Sequence, residues 1–204
     1  VDAYVSKERM GKNNRESTRK RYGIASHTTV ALYCGRLDVE KGVQDLIEAV
    51  GKMREADRDI ILLIVGEGEY RSRLEACAAE YRGSSIFTGH VSPEKIHNIY
   101  YASDVMVLPT YRDHWGLVVN EAMACSLPVV VSKAAGCYPD LVDHGRNGYV
   151  FEPGNIDEIR NSLELLLNPE LRKQFGDKSR KMISRWTYRE GVAEFTRMIA
   201  WVFS

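Results

Sequence analysis

The chain has 204 residues, 44% of them hydrophobic and 27% charged, which suits one globular domain with enough apolar mass for a core. Lys plus Arg and Asp plus Glu stand at 28 each, and a net charge of zero argues against nucleic-acid binding as the main task. No apolar stretch reaches the roughly 18 residues of a membrane span.

The chain opens on a basic stretch. Between Lys7 and Arg21 stand Lys7, Arg9, Lys12, Arg15, Arg19, Lys20 and Arg21 against two acids. Residues 1–22 are therefore expected as a solvated helix or linker, with a patch for an anionic surface as the alternative. Residues 23–204 are expected as the folded domain. The chain begins without Met and reads as part of something longer.

Val30–Leu37 (VALYCGRL) is the first expected strand, ending in Gly35-Arg36. Residues 41–56 place Val43, Leu46, Ile47 and Val50 on one helical face. Ile60–Val65 (IILLIV) is a continuous apolar run, as in a strand buried on both faces of a parallel sheet. It ends at Gly66, and a helix is expected over 69–82. Ser85–Val91 is the third strand. Ser92-Pro93-Glu94 opens a helix with Ser at the cap and Pro at its first position. Val105–Leu108 is the fourth strand, and a helix starts near Gly116. Pro128–Val131 and Gly148–Phe151 complete about six strands. Helices follow near 155–167, 169–185 and 188–203. This alternation predicts an α/β fold, a Rossmann-like doubly wound parallel sheet with helices on both faces. Ligands of such sheets bind at the carboxyl ends of the strands, near the topological switch point.

The four cysteines, Cys34, Cys77, Cys125 and Cys137, lack CxxC or zinc spacing and point to a reducing compartment. Cys34 and Cys125 lie in apolar runs and read as small core residues. The five histidines are scattered, and no metal is assigned to them. Gly66-Glu67-Gly68 lacks the third glycine of a dinucleotide fingerprint, since Arg71 stands there. Tyr100-Tyr101 reads as core and rim.

Two groups of residues carry candidate chemistry. Arg36 and Lys41 lie five positions apart between a strand and a helix, where backbone N–H groups and two fixed charges favour a phosphate. The run Asp113-His114-Trp115-Gly116-Leu117-Val118-Val119-Asn120-Glu121 sets two carboxylates eight residues apart around a helix start. The free N–H groups of Gly116 and Leu117 can face an anion. Glu121, just over one turn in, can accept from both hydroxyls of a ribose, and Asp113 can accept from sugar hydroxyls. A capping acid and a solvated helix acid are the plain alternatives.

The strings "DHWGLVVNEAMACSLPVVVS", "GRLDVEKG", "LLIVGEGEYRSRLE" and "GRNGYVFEPGN" resemble the C-terminal domain of glycogen-synthase-like retaining glycosyltransferases of the GT-B fold. The resemblance covers nearly the whole chain, with "VDAYV" at the entry to the domain. It implies a nucleoside-diphosphate sugar (UDP-, GDP- or ADP-sugar) as donor, with no cofactor and no metal. Arg36 and Lys41 would stabilise the departing diphosphate, together with the amides of Gly116 and Leu117. Glu121 would hold the ribose and Asp113 the transferred sugar, and Val91 would line the nucleobase. Gly35, Gly66 and Trp115 complete the donor-binding set.

Two departures from the family pattern stand out. Asp113 replaces a Glu, and Ser126 replaces a frequent Gly, a change expected to matter little because Ser is small. Ala134–Asp140 (AAGCYPD) reads as a structural turn.

The implied whole is a retaining enzyme that transfers a hexose-type sugar to a glycan or lipid in cell-surface polysaccharide or glycolipid synthesis. Its acceptor domain lies outside this chain. The expected location is cytoplasmic, with peripheral membrane contact through the rest of the protein. A sugar-nucleotide epimerase, a phosphorylase or a non-catalytic nucleotide-binding module on the same fold are the alternatives. The last helix is expected to leave Ile199, Trp201 and Phe203 as an apolar patch facing the absent domain.

Overall fold

The computed structural model describes residues 11–186 and 196–198. The "VDAYV" stretch and the apolar patch at Ile199, Trp201 and Phe203 lie outside these residues. Of the expected last helix, only residues 196–198 are described, and they are helical and exposed.

Strands β1 (Thr29–Cys34) and β2 (Ile60–Val65) are almost wholly apolar and almost wholly buried. Strands with no polar face belong in the middle of a sheet covered on both sides. They pair in parallel, with Thr29 beside Ile60 and Cys34 beside Val65. Around them lie β3 (Ser85–Gly89), β4 (Val105–Leu108), β5 (Val129–Ser132) and β6 (Gly148–Phe151). The order is β3-β2-β1-β4-β5-β6, and every pair is parallel. The six-stranded, doubly wound sheet expected from the sequence is therefore present.

Each sheet face carries its own apolar layer. On one face, α2 (Val43–Glu55), α3 (Arg71–Glu80) and α7 (Ile156–Leu165) pack over Ala31, Leu62 and Val107. On the other, α4 (Pro93–Ala102) and α5 (Leu117–Ala124) pack over Leu32, Leu63 and Met106. The short α6 (Tyr138–Leu141) also belongs to this second face. Helix α8 (Pro169–Ile183) sends Phe175 to the first layer and Ile183 to the second. The strand order reverses between β1 and β4, so the switch point lies between their carboxyl ends.

Some boundaries differ from expectation. The first strand stops at Cys34, because Gly35 turns the chain at φ 157°. The helix expected from residue 41 starts at Val43. A 3₁₀ turn at Val39–Lys41 precedes it, and Gly42 joins the two at φ 61°. A side chain at Gly42 would put its first carbon 2.1 Å from the Pro109 carbonyl oxygen, so the chain must pass there bare.

The basic stretch is not a solvated linker in its described part. From Gly11 to Arg21 it forms helix α1, which lies against α4. Arg19 is 3% exposed. Its guanidinium donates to the carbonyls of Ala102, Ala25, Ser26 and Thr28 and to Asp104 Oδ2 at 2.5 Å. Arg15 reaches Asp104 Oδ1 at 2.6 Å, and Arg172 of α8 stands 4.0 Å from the same oxygen. Asp104 also accepts from the Val30 amide at 2.8 Å. One carboxylate thus ties α1, α8, β1 and β4 together at the amino edge of the sheet.

The free edge of β6 is partly occupied by its own chain. The turn before it forms a bridge between His144 and Gly148, and the Gly145 amide donates to the Gly148 carbonyl at 2.9 Å. The Val150 amide donates to His144 Nδ1 at 3.1 Å.

Ser126 sits at φ 61°, in the left-handed region, so backbone conformation rather than side-chain size decides what Ser does there. Ser126→Gly should raise stability by up to about 1 kcal/mol, read as a higher urea midpoint at unchanged slope. Asp104→Ala should cost roughly 3–5 kcal/mol by stranding the buried Arg19 charge, seen in the same titration.

Candidate functional site

The loops leaving β1, β2 and β3 pack backbone to backbone. A side chain on Gly66 would put its first carbon 1.8 Å from the Gly35 carbonyl oxygen, so Gly66 must stay bare, and one on Gly35 would come within 2.9 Å of the Tyr33 hydroxyl. The Gly66 amide donates to the Gly89 carbonyl, and the Gly35 amide to that of Val65, each at 3.0 Å. Tyr33, fully buried, donates its hydroxyl to the Arg36 carbonyl at 2.6 Å and holds that loop from below. Burial, and then Asp38, push the Tyr33 phenol far above its usual range, so it remains a donor.

The loops leaving β4 and β5 are joined in the same way. Asp113 bridges to Ala135, its amide donating to the Ala134 carbonyl at 3.2 Å and its carbonyl accepting from Gly136 at 2.9 Å. The Cys137 amide donates to the Trp115 carbonyl at 3.0 Å. A side chain on Gly136 would come within 2.0 Å of the His114 carbonyl oxygen. The Ala134–Asp140 turn, read as structural from the sequence, is thus the rail against which Asp113–Trp115 lies. Gly116 then enters α5 at φ 90° and has no side chain with which to cap it. In that first turn the Val119 amide donates back to the Gly116 carbonyl at 2.9 Å, and a helix supplies no partner of its own to the two amides before it.

The charged groups stand on this frame. Lys41 Nζ lies 2.8 Å from Asp113 Oδ2 and 3.3 Å from the Arg112 carbonyl. This pair joins the loop after β1 to the loop after β4 across the switch point. Both side chains are largely buried, at 15% and 22% exposure, so the pair is poorly screened. Asp113 Oδ1 accepts from the Trp115 amide at 3.1 Å. Both oxygens of this short acid therefore have partners within the protein.

Arg36 differs from Lys41. Its side chain is 79% exposed and meets Asp38 at 3.2 Å rather than the acids after β4. Leu117 is 69% exposed at the first position of α5. Trp115 is half-buried and donates to Asn120 at 2.9 Å. Val91 lies apart from the Lys41–Asp113 pair, in a groove with Arg21 and Tyr22 at the end of α1 and Lys95 of α4.

Glu121 has a partner that sequence reasoning missed. Tyr100, fully buried on α4, donates its hydroxyl to Glu121 Oε2 at 2.6 Å. The same hydroxyl engages the Cys34 thiol at the end of β1. Burial pushes Cys34 up to about 11, and Cys125 and Cys137 up to about 12, which leaves all three as protonated, unreactive thiols. The apolar stripe Ile96, Ile99, Tyr100 on α4 marks Tyr100 as inward-facing, but not what its hydroxyl meets. Among the described residues, no cluster of three or more His, Cys, Asp or Glu could hold a metal ion. No helix among them is long and apolar enough to cross a membrane.

An open parallel sheet with cations, an uncapped helix start and carboxylates gathered at its switch point belongs to the Rossmann-like α/β domains. The model of the family "Glycosyl transferases group 1" matches residues 14–182, and the chain belongs to that family. It is 30% identical over 195 residues to the lipopolysaccharide 1,2-N-acetylglucosaminetransferase of Salmonella typhimurium, a match covering 90% of this chain and 51% of that one. The chain thus spans about half the length of this relative.

Two solved structures place the fold. Sucrose-phosphate synthase from Thermosynechococcus elongatus superimposes with a TM-score of 0.79 at 25% identity, over 92% of this chain and 49% of that one. The C-terminal domain of the glycosyl transferase group 1 family protein LpcC from Francisella tularensis gives 0.74 at 24% identity, over 83% and 91%. The fold is that of the C-terminal half of a GT-B glycosyltransferase.

Gly66→Ala should force the loops after β1 and β2 apart. We expect a loss of roughly 2–3 kcal/mol in urea unfolding, whereas Gly83→Ala, in open space but also at positive φ, should cost only its backbone strain of about 1 kcal/mol.

Proposed function

We propose that the chain is the donor-binding half of a retaining glycosyltransferase and takes a nucleoside-diphosphate sugar such as a UDP-, GDP- or ADP-sugar. The observation that carries this reading is the meeting of Lys41, Asp113 and the uncapped start of α5 at the switch point, with Glu121 one turn further on. A diphosphate is a dianion that needs fixed positive charge and free N–H groups. Lys41, Arg36 and the first turn of α5 supply both. Glu121 offers a carboxylate to the ribose hydroxyls.

The reaction follows from these placements. As the glycosidic bond to the phosphate breaks, negative charge builds on the departing diphosphate. Lys41 and Arg36 stabilise that charge where it develops. Asp113 stands beside Lys41 and accepts from the transferred hexose. The acceptor, a glycan or lipid of cell-surface polysaccharide or glycolipid synthesis, is held by a second domain outside this chain. The whole enzyme works on the cytoplasmic side, in peripheral contact with the membrane through that domain. Membership of the glycosyl transferases group 1 family supports transfer over the epimerase and phosphorylase alternatives.

Calorimetry with millimolar UDP, GDP and ADP and their sugars tests the reading on this chain. One nucleoside diphosphate should bind, and Lys41→Ala with Arg36→Ala should weaken it at least about tenfold. Absence of heat from all of them would sink the donor-site assignment. In an enzyme carrying both domains, the same pair of substitutions should lower kcat by roughly 10²–10³.

A further inference from the structure

Glu121 is a flexible side chain half-exposed on α5, yet one of its oxygens is anchored from beneath. The anchor is unusual in its depth. Tyr100 is fully buried in the layer formed by α4, α5 and the sheet, and its ring cannot follow a moving partner. Its hydroxyl lies 2.6 Å from Glu121 Oε2 and also meets Cys34, which ends the central strand β1. The hydrogen bond therefore joins the sheet, α4 and the helix whose first turn faces the switch point.

From this geometry we infer that Tyr100 is a positioning residue that sets the carboxylate plane of Glu121 for the two hydroxyls of a ribose. The inference rests on the donor-site reading above and adds the group that makes that site selective for a ribonucleotide. A carboxylate can meet a vicinal diol with both oxygens only in a narrow range of orientations. A free Glu has rotatable bonds to freeze on binding, and the cost falls on affinity. With Oε2 held by a donor in the core, that ordering is completed on folding. Burial pushes the Tyr100 phenol far above its usual range, so it stays protonated and donates to the carboxylate. Glu121 keeps its second oxygen, and the remaining acceptor capacity of Oε2, for the ligand.

The test compares two ligands on the 204-residue chain: the tightest binder among UDP, GDP and ADP, and its 2′,3′-dideoxy form. The wild type should prefer the ribonucleotide about tenfold, the size of a charge-assisted hydrogen-bond contribution. Tyr100→Phe keeps the ring and should reduce that preference to about twofold or less, while the dideoxy form binds as before. Glu121→Asp leaves the core intact and withdraws the carboxylate from Tyr100, and it should lose the preference in the same way. A purely structural Tyr100 would weaken both ligands equally and leave the ratio at its wild-type value, which overturns the inference. Retained preference in Glu121→Asp overturns it as well. A wild type that binds both ligands without preference also overturns this inference, but leaves the diphosphate site standing. A wild type that binds neither removes the donor-site reading and the inference with it.

Discussion

A single carbon atom added to Gly66 would lie 1.8 Å from the carbonyl oxygen of Gly35, well inside contact distance. That prohibition governs the carboxyl edge of the sheet. Gly42 repeats it against Pro109 and Gly136 against His114, so neighbouring loops touch through backbone rather than through side chains. Backbone contacts have few alternative arrangements, whereas long side chains have many. The loops that bear Lys41, Asp113 and the start of α5 are therefore held at short, fixed separations. The 2.8 Å approach of Lys41 to Asp113 rests on that frame.

The opposite edge of the sheet is held by other means. Asp104 gathers Arg15, Arg19 and Arg172 there, and the Val30 amide as well. The two devices divide the labour between the ends of the strands. Charge at the amino edge is consumed internally, with hydrogen bonds to carbonyls taking up the rest of the Arg19 guanidinium. At the carboxyl edge Arg36 keeps most of its surface in solvent. The basic stretch before Tyr22 thus splits by position on one helix: Arg15 and Arg19 point inward, while Lys20 and Arg21 remain exposed.

Much of this was legible in the sequence where the signal is local. Ile60–Val65 declares a buried strand by its composition alone, and the order of strands and helices leads to the doubly wound sheet. Gly116, Leu117 and Glu121 could be placed together because they share one helix. The Lys41–Asp113 pair could not, since 72 residues separate the partners and nothing in either neighbourhood names the other. Tyr100 was read as core, which is true of its ring and silent about its hydroxyl. The N-terminal basic stretch is a helix, one of the two forms its sequence allows, but the burial of Arg19 is not legible there: a basic stretch looks the same whether or not a distant Asp104 awaits it. Ser126 shows another limit, because a backbone angle has no signature when the residue that adopts it is not Gly.

The turn before β6 bears on how copies of this protein meet one another. An open parallel sheet ends in strands with unpaired N–H and C=O groups, which invite a strand from a second molecule. Here the Gly148 carbonyl and the Val150 amide are already taken, by the Gly145 amide and by the His144 ring nitrogen. A neighbouring chain would find no ladder to extend at those positions. The edge is thus closed by a side chain and a turn of the same chain, the imidazole accepting at Nδ1 and the turn donating from Gly145.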